Sequence, residues 1–344
     1  MDTENNHIGN STGKSDVTFA QRWHYRPEVP IQVSPFFSWP LDPARMIQWI
    51  AARWFRLAEN TILVLLATAS WFWFQPHPSE ASSLSFGWIA QMYIRNLLLF
   101  AVVAGGLHWY FFSKKKQGLK LKYDKRNLSL NSKVFKFNNQ VHDNMFWSLG
   151  SGVFFWTAYE VLMFWAMAKG YAPTTSFTSN PIWFIALFFL TPILISLHFY
   201  WIHRLIHWPP LYKSVHALHH RNTNVGPWSG LSMHPVEHIV YLSTILIHFV
   251  VPSTPFLIAF HLMYFTLSAA TTHTGYQGIM ANGKLVLPLG TFHHQLHHRY
   301  FTCNYGGLEM PWDKWTGSFH DGTAESHQAF LVRRKAQTQG KANG

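Results

Sequence analysis

Long apolar runs constrain this chain more than any other feature. Four stretches, Leu57–Phe74, Met92–Phe112, Met145–Ala168 and Ile182–Trp201, each approach the ~20 residues that carry a helix across ~30 Å of hydrocarbon. Glu59, Arg95 and Glu160 interrupt the first three, and Arg95 lies close enough to one end to snorkel toward water. A fifth region, Ile239–Ala270, is broken by Val251-Pro252-Ser253-Thr254-Pro255 and reads as a hairpin of two short helices. Composition agrees with a bilayer setting. Charged residues make up 12% of the 344 and aromatics 17%, a profile suited to a chain partly dissolved in lipid.

Loop charge sets the orientation. Residues 113–144 carry Lys114, Lys115, Lys116, Lys120, Lys122, Lys125, Arg126, Lys133 and Lys136, whereas 76–87, 170–180 and 252–255 hold no Lys or Arg. Basic loops stay cytoplasmic, so 1–56, 113–144, 202–235 and 271–344 are expected on that side. The formal net charge of +12 is concentrated in this juxtamembrane loop, where lipid headgroups explain it, and nucleic acid is not expected as a partner. Residues 1–30 are polar, lack the apolar core and cleavage site of a signal peptide, and read as a disordered N-terminal tail. Residues 31–144 are expected to form an interfacial segment, a first transmembrane hairpin and the basic loop. Residues 145–320 would form a catalytic domain, and 321–344 a flexible C-terminal tail. No strand-rich region and no internal repeat beyond a histidine motif stand out.

That motif is the second constraint. The chain has 22 His against 15 Asp plus Glu, and they cluster. His203-Arg-Leu-Ile-His207 leaves the end of the fourth apolar stretch with two imidazoles four apart on one helical face. His216-Ala-Leu-His219-His220 and His294-Gln-Leu-His297-His298 repeat an i, i+3, i+4 stripe, with His293 off the stripe. A single HxxxH pair reads as interfacial histidine; three such clusters on one face of the membrane read as a metal site. Eight clustered imidazoles exceed the four of a structural zinc and imply two metals. Imidazole suits Zn, Cu, Fe and Ni alike. Carboxylates are sparse around the clusters and the site opens onto lipid, whose inert C–H bonds require activated oxygen, so two non-haem irons with O2 as co-substrate are expected. The single cysteine, Cys303, excludes an intramolecular disulfide framework and a Cys-held iron–sulfur cluster.

Together with Phe199-Tyr200-Trp201-Ile202-His203-Arg204, Leu211-Tyr212-Lys213, His234-Pro235-Val236-Glu237, Asn304-Tyr305-Gly306, Trp312-Asp313 and Gly317, these clusters resemble the fatty acid hydroxylase/sterol desaturase superfamily of membrane di-iron enzymes over about 150–317. The resemblance implies an all-α integral membrane protein: four long transmembrane helices plus a short helical hairpin, with a cytosolic helical cap holding a histidine-rich di-metal site. It adds His273 and His234 to the ligands His203, His207, His216, His219, His220, His294, His297 and His298. It also places Glu237 and Asp313 behind the imidazoles as orienting groups. It departs from the family at His198, where many members carry an acid. The implied activity is O2-dependent hydroxylation or desaturation of a membrane lipid such as a sterol or fatty acyl chain. The electron donor would be external, of cytochrome b5 or ferredoxin type, because no fused haem domain is evident. The membrane would be the endoplasmic reticulum in a eukaryote or the inner membrane in a bacterium, with a cytoplasmic active site. Trp228, Tyr276, Trp312 and Trp315 are candidate pocket or interfacial residues, and His238, His248 and His261 read as packing residues. A metal-dependent membrane hydrolase or isomerase, or a non-enzymatic metal-binding membrane protein, stays open as an alternative.

Overall fold

The computed structural model describes residues 19–342. An interfacial helix, α1 (Pro43–Trp54), begins where Asp42 accepts the backbone N–H groups of Ala44 and Arg45 and Pro43 occupies the first turn. It meets α2 (Glu59–Phe74) at a 46° bend, and only together does this pair have the length of a span. Three helices are long and apolar enough to cross a membrane by themselves: α3 (Phe86–His108, extended by a π turn to Ser113), α6 (Pro181–Ile206) and α9 (Pro255–Thr272). The expected count of four long spans plus a short hairpin is thereby revised to three, or four with the bent pair. The third apolar stretch is helical, as α4 (Gln140–Trp147) and α5 (Val153–Ala168) joined through a π turn, but it falls short of a span in apolarity. The second arm of the expected hairpin is α9, a full 18-residue helix buried between α2, α3, α5 and α6. The first arm is the shorter α8 (Pro235–Leu242) with a 3-10 turn to Phe249.

Arg95 and Glu160 form an ion pair inside this bundle. Arg95 does not snorkel: it is buried on α3 and its guanidinium donates to Glu160 on α5, whose carboxylate also accepts from Asn96 at 3.0 Å. Two charges removed from water hold only while both partners stay.

Both expected tails are corrected where they are described. Residues 1–18 lie outside the described part, but Phe19 and Trp23 are buried against Tyr123, Phe292, Tyr300 and Phe330. Ile31 donates its N–H to Asp321 O at 2.8 Å. At the other end, α12 (Ala324–Ala342) buries Ala324, His327 and Phe330. A β-hairpin, β1 (Gly278–Ala281) and β2 (Lys284–Pro288), precedes the last histidine cluster. Its turn is Asn282-Gly283 with φ of +50° and +74°, the pair that a two-residue turn of this hand demands. These connections position the remaining site elements, α7 (Ala217–His220), α10 (Phe292–Tyr300) and α11 (Trp312–Trp315).

Candidate metal centre

The site forms where α6 leaves the apolar layer. His203 and His207 sit at its C-terminal end; a π turn over Tyr212–His216 and α7 bring in His216, His219 and His220. His273 ends α9, and α10 begins with Thr291 capping the N–H of His294. These elements assemble two groups, His203, His207, His216, His220 and His297 in one, and His219, His273, His294 and His298 in the other. Within each group the candidate ligand atoms all lie within 4.8 Å of one another.

The partition follows helix geometry more finely than the expected stripe. Residues four apart stay together: His203 with His207, His216 with His220, His294 with His298. The middle residue of each triple, His219 or His297, is turned away and joins the opposite group. Each HxxHH motif therefore serves both groups and fixes their separation. The His219 and His298 rings are 4.7 Å apart within one group, and His220 and His298 are 4.9 Å apart across the two.

Proton placement tests whether metals fit. Backbone carbonyls can only accept, so they fix a proton on Nδ1 of four imidazoles. His203 donates to Tyr305 O at 2.6 Å, His219 to Ser232 O at 3.2 Å, His273 to Ala269 O at 2.8 Å and His297 to Cys303 O at 2.7 Å. His216 Nδ1 faces Glu237 at 2.7 Å. The Nε2 atoms converge, at 3.1 Å between His203 and His216, 3.0 Å between His220 and His297, and 3.0 Å between His273 and His298. His294 Nε2 is 3.1 Å from both His273 and His298. His203 and His216 both carry their protons on Nδ1, so their Nε2 lone pairs face each other and repel, and a cation between them removes the conflict. Two nitrogens at right angles around a cation with bonds of about 2.1 Å lie roughly 3.0 Å apart, the spacing seen here. The residues fit two metal ions.

Burial keeps the ligands neutral. It lowers the His219 imidazole to about 4 and pushes His216, His220, His273, His294, His297 and His298 well below the ordinary histidine value. Nearby imidazoles add to the effect on every one of these except His219. Neutral imidazole is the ligating form. Burial also raises the Glu237 carboxyl, a tendency that adjacent cations oppose.

Nine of the ten expected ligands come together. His234 does not: it caps α8, its Nδ1 accepting the Val236 N–H ahead of Pro235. Its position as the residue before a helix-starting proline explains the separation. His198 lies 3.0 Å from Ser243 Oγ, outside both groups. Glu237 stands directly behind His216, whereas Asp313 acts one step further back. Asp313 accepts the N–H groups of Tyr305 and Gly306 at 2.8 and 2.7 Å, fixing the loop whose Tyr305 carbonyl holds His203. The carbonyls of Ser232, Ala269, Cys303 and Tyr305 were not identified from sequence, since any residue type supplies a carbonyl. Gly230 had no sequence signal either. A Cβ there would lie 2.1 Å from Ala269 O, the acceptor of His273.

A cavity of about 550 Å³ reaches the groups from the apolar side. His203, His216, His219, His273, His294 and Glu237 line it, together with Ile195, Phe199, Ile206, Met233, Tyr241 and Phe265. The aromatic residues suggested from sequence do not line it. Trp228 packs on Phe100, Tyr276 stacks on Phe111, and Trp312 and Trp315 pack with each other beside Tyr200. On the other side, His207 opens on a polar cavity of about 430 Å³ shared with Arg204, Arg333 and Arg334.

Comparison with known proteins agrees with this geometry. The family model described as fatty acid hydroxylase matches residues 184–318, a range that contains all nine grouped histidines. The chain is 33% identical over 150 residues to a Delta(7)-sterol 5(6)-desaturase, ERG3B, of Gibberella zeae, covering 43% of this chain and 46% of that one. It is 33% identical over 121 residues to the Delta(7)-sterol 5(6)-desaturase ERG3 of Saccharomyces cerevisiae, covering 35% and 32%. It is 29% identical over 148 residues to the lathosterol oxidase of Homo sapiens, covering 41% and 48%. The matched region spans less than half the length of these curated relatives. No solved structure matches the chain. Matching motifs, matching relatives and a nine-histidine centre at the end of membrane helices identify residues 184–318 as a domain of the fatty acid hydroxylase/sterol desaturase superfamily.

Proposed function

We propose that the chain oxidises a membrane lipid with O2, by hydroxylation or desaturation, at two irons held by His203, His207, His216, His220 and His297 on one side and His219, His273, His294 and His298 on the other. The observation that carries this reading is the convergence of nine imidazoles, five with their Nδ1 held by a carbonyl or Glu237, beside a cavity with apolar walls. The relatives named as sterol desaturases and a sterol oxidase support an oxidoreductase.

When bound, the metals would supply O2 activation and the oxidant for a C–H bond. The protein's own contribution is placement and exclusion. Carbonyls and Glu237 fix the tautomers of His203, His216, His219, His273 and His297, so that at these five rings a metal meets a lone pair without a proton having to leave. Ile195, Phe199, Ile206 and Phe265 keep the approach dry and hold a hydrocarbon against the inner wall. Removing hydrogen from a lipid while O2 is reduced to water requires two further electrons. We assign their entry to the polar face beside His207, where Arg204 and Arg333 favour an acidic donor protein of cytochrome b5 or ferredoxin type. The site would face the cytoplasm.

Purified protein assayed for iron and for O2-dependent conversion of added lipid tests the reading. Two irons per chain and product formed only with O2 and reductant are expected. Activity retained after complete metal removal would refute it.

A further inference from the structure

The backbone carbonyls that accept protons from the grouped histidines differ in what holds them. Ala269 lies within α9, and Asp313 fixes the loop that carries Tyr305. Ser232 has no such support of its own. It follows the buried 3-10 turn Pro227–Leu231, between α7 and α8. Its carbonyl also makes the longest of the four bonds, 3.2 Å to His219 Nδ1 against 2.6 Å, 2.8 Å and 2.7 Å for the others. A bond of that length weakens steeply with any further displacement.

The turn is held by a histidine outside both metal groups. His238, on α8, is wholly buried, and its Nε2 lies 3.1 Å from Leu231 O, the carbonyl of the peptide that joins Leu231 to Ser232. A carbonyl only accepts, so Nε2 carries the proton and Nδ1 is left to accept from the Ser151 hydroxyl at 3.2 Å. The two partners settle the tautomer. Little slack remains around the bond: a Cβ on Gly152 would lie 2.7 Å from Leu231 Cδ2 and 3.2 Å from His238 Nε2. Ser148 Oγ ties the same turn to the π turn between α4 and α5, donating to Trp228 O at 2.8 Å.

We propose that His238 is the positioning residue of the four-histidine group. Its N–H holds the planar Leu231–Ser232 peptide, the Ser232 carbonyl lies only two backbone torsions further on, and that carbonyl orients His219. The preceding residue, Glu237, orients His216 of the five-histidine group directly. Consecutive residues of α8 thus brace the two groups, one each. The inference rests on the two-metal reading above and gives His238, which the sequence alone reads as packing, a part in it.

The test is a chelator titration of purified protein with bound metal counted per chain. His238→Leu fills much of the space but donates nothing. One of its two metals should leave at about tenfold lower chelator than in wild type, the low end of the range for such supporting groups because His238 acts through a peptide. His238→Gln, whose amide N–H can donate to the same carbonyl, should stay close to wild type. Glu237→Leu loosens the metal of the five-histidine group, so combining it with His238→Leu should make both metals leave early. Wild-type retention of both metals in His238→Leu, loss of both together, or His238→Gln as weak as His238→Leu overturns the assignment. So does a double variant that still holds one metal at wild-type strength, because both substitutions would then act on the same site. The titration needs no turnover. A protein that binds two metals but oxidises no lipid would refute the oxidase reading and leave this one standing, whereas a wild type that binds none refutes both.

Discussion

Glu237→Leu separates the two metals. Glu237 lies 2.7 Å from His216 Nδ1, both side chains almost wholly buried. Leucine is of similar size but accepts nothing, so the imidazole N–H is left without a partner at a cost of about 1–3 kcal/mol. Loss of such an orienting carboxylate typically lowers metal affinity about 10–100-fold, or ~1.4–2.7 kcal/mol, the same range reached from the other direction. His216 belongs only to the five-histidine group, so the loss should fall on one metal. The assay is a chelator titration of purified protein with iron counted per chain. One iron should leave at about 10–100-fold lower chelator than in wild type, and the other at the wild-type concentration. Glu237→Gln, which keeps an acceptor oxygen, should fall between. Wild-type retention of both irons in Glu237→Leu, or loss of both together from a folded protein, would refute the division of ligands.

Three further outcomes are expected. Arg95→Leu leaves Glu160 charged and unpaired within the bundle and should lower stability by about 3–5 kcal/mol, read as a lowered denaturation midpoint in detergent; Arg95→Leu with Glu160→Leu should recover much of it. Arg333→Glu should slow turnover driven by an acidic donor protein and flatten its dependence on salt, while turnover driven by dithionite stays at the wild-type rate. The iron-stripped protein should lose stability as pH falls. His219 is held at about 4 when folded but near 6.5 when unfolded, so the unfolded state binds more protons between those values. That stability is complete above about pH 6.5 and is lost toward pH 4, and an unchanged thermal midpoint between pH 7.5 and 5 would contradict it.

Much of the centre was legible because its spacing is helical. HxxxH and HxxHH put imidazoles on one face whatever surrounds them, and eight of the nine grouped histidines lie in such clusters. His273 stands alone in sequence and came only through family resemblance. His234 shows the limit of the same resemblance, because a histidine before proline has a second use as a helix cap. Helix geometry keeps residues four apart together, but the group that the middle histidine of each triple joins depends on how α7 and α10 face each other across the site, a tertiary relation. The buried Arg95 misled for a similar reason: snorkelling is the outcome for a lone cation, and its partner Glu160 lies 65 residues away. Asn282-Gly283 is a hairpin signal legible in the sequence, although the strands that flank it are only four and five residues long. The ends of the chain were misjudged on polarity, since single aromatics such as Phe19, Trp23 and Phe330 suffice to seat them on α10.

The central claim is a two-metal centre divided five and four. Iron per chain, measured by plasma emission on purified wild type, His207→Ala and His273→Ala, tests it most directly. The account predicts two irons in wild type, with each substitution chiefly emptying a different group. A wild type that carries at most one iron yet turns over at full rate, or two substitutions that drain the same metal, would contradict it.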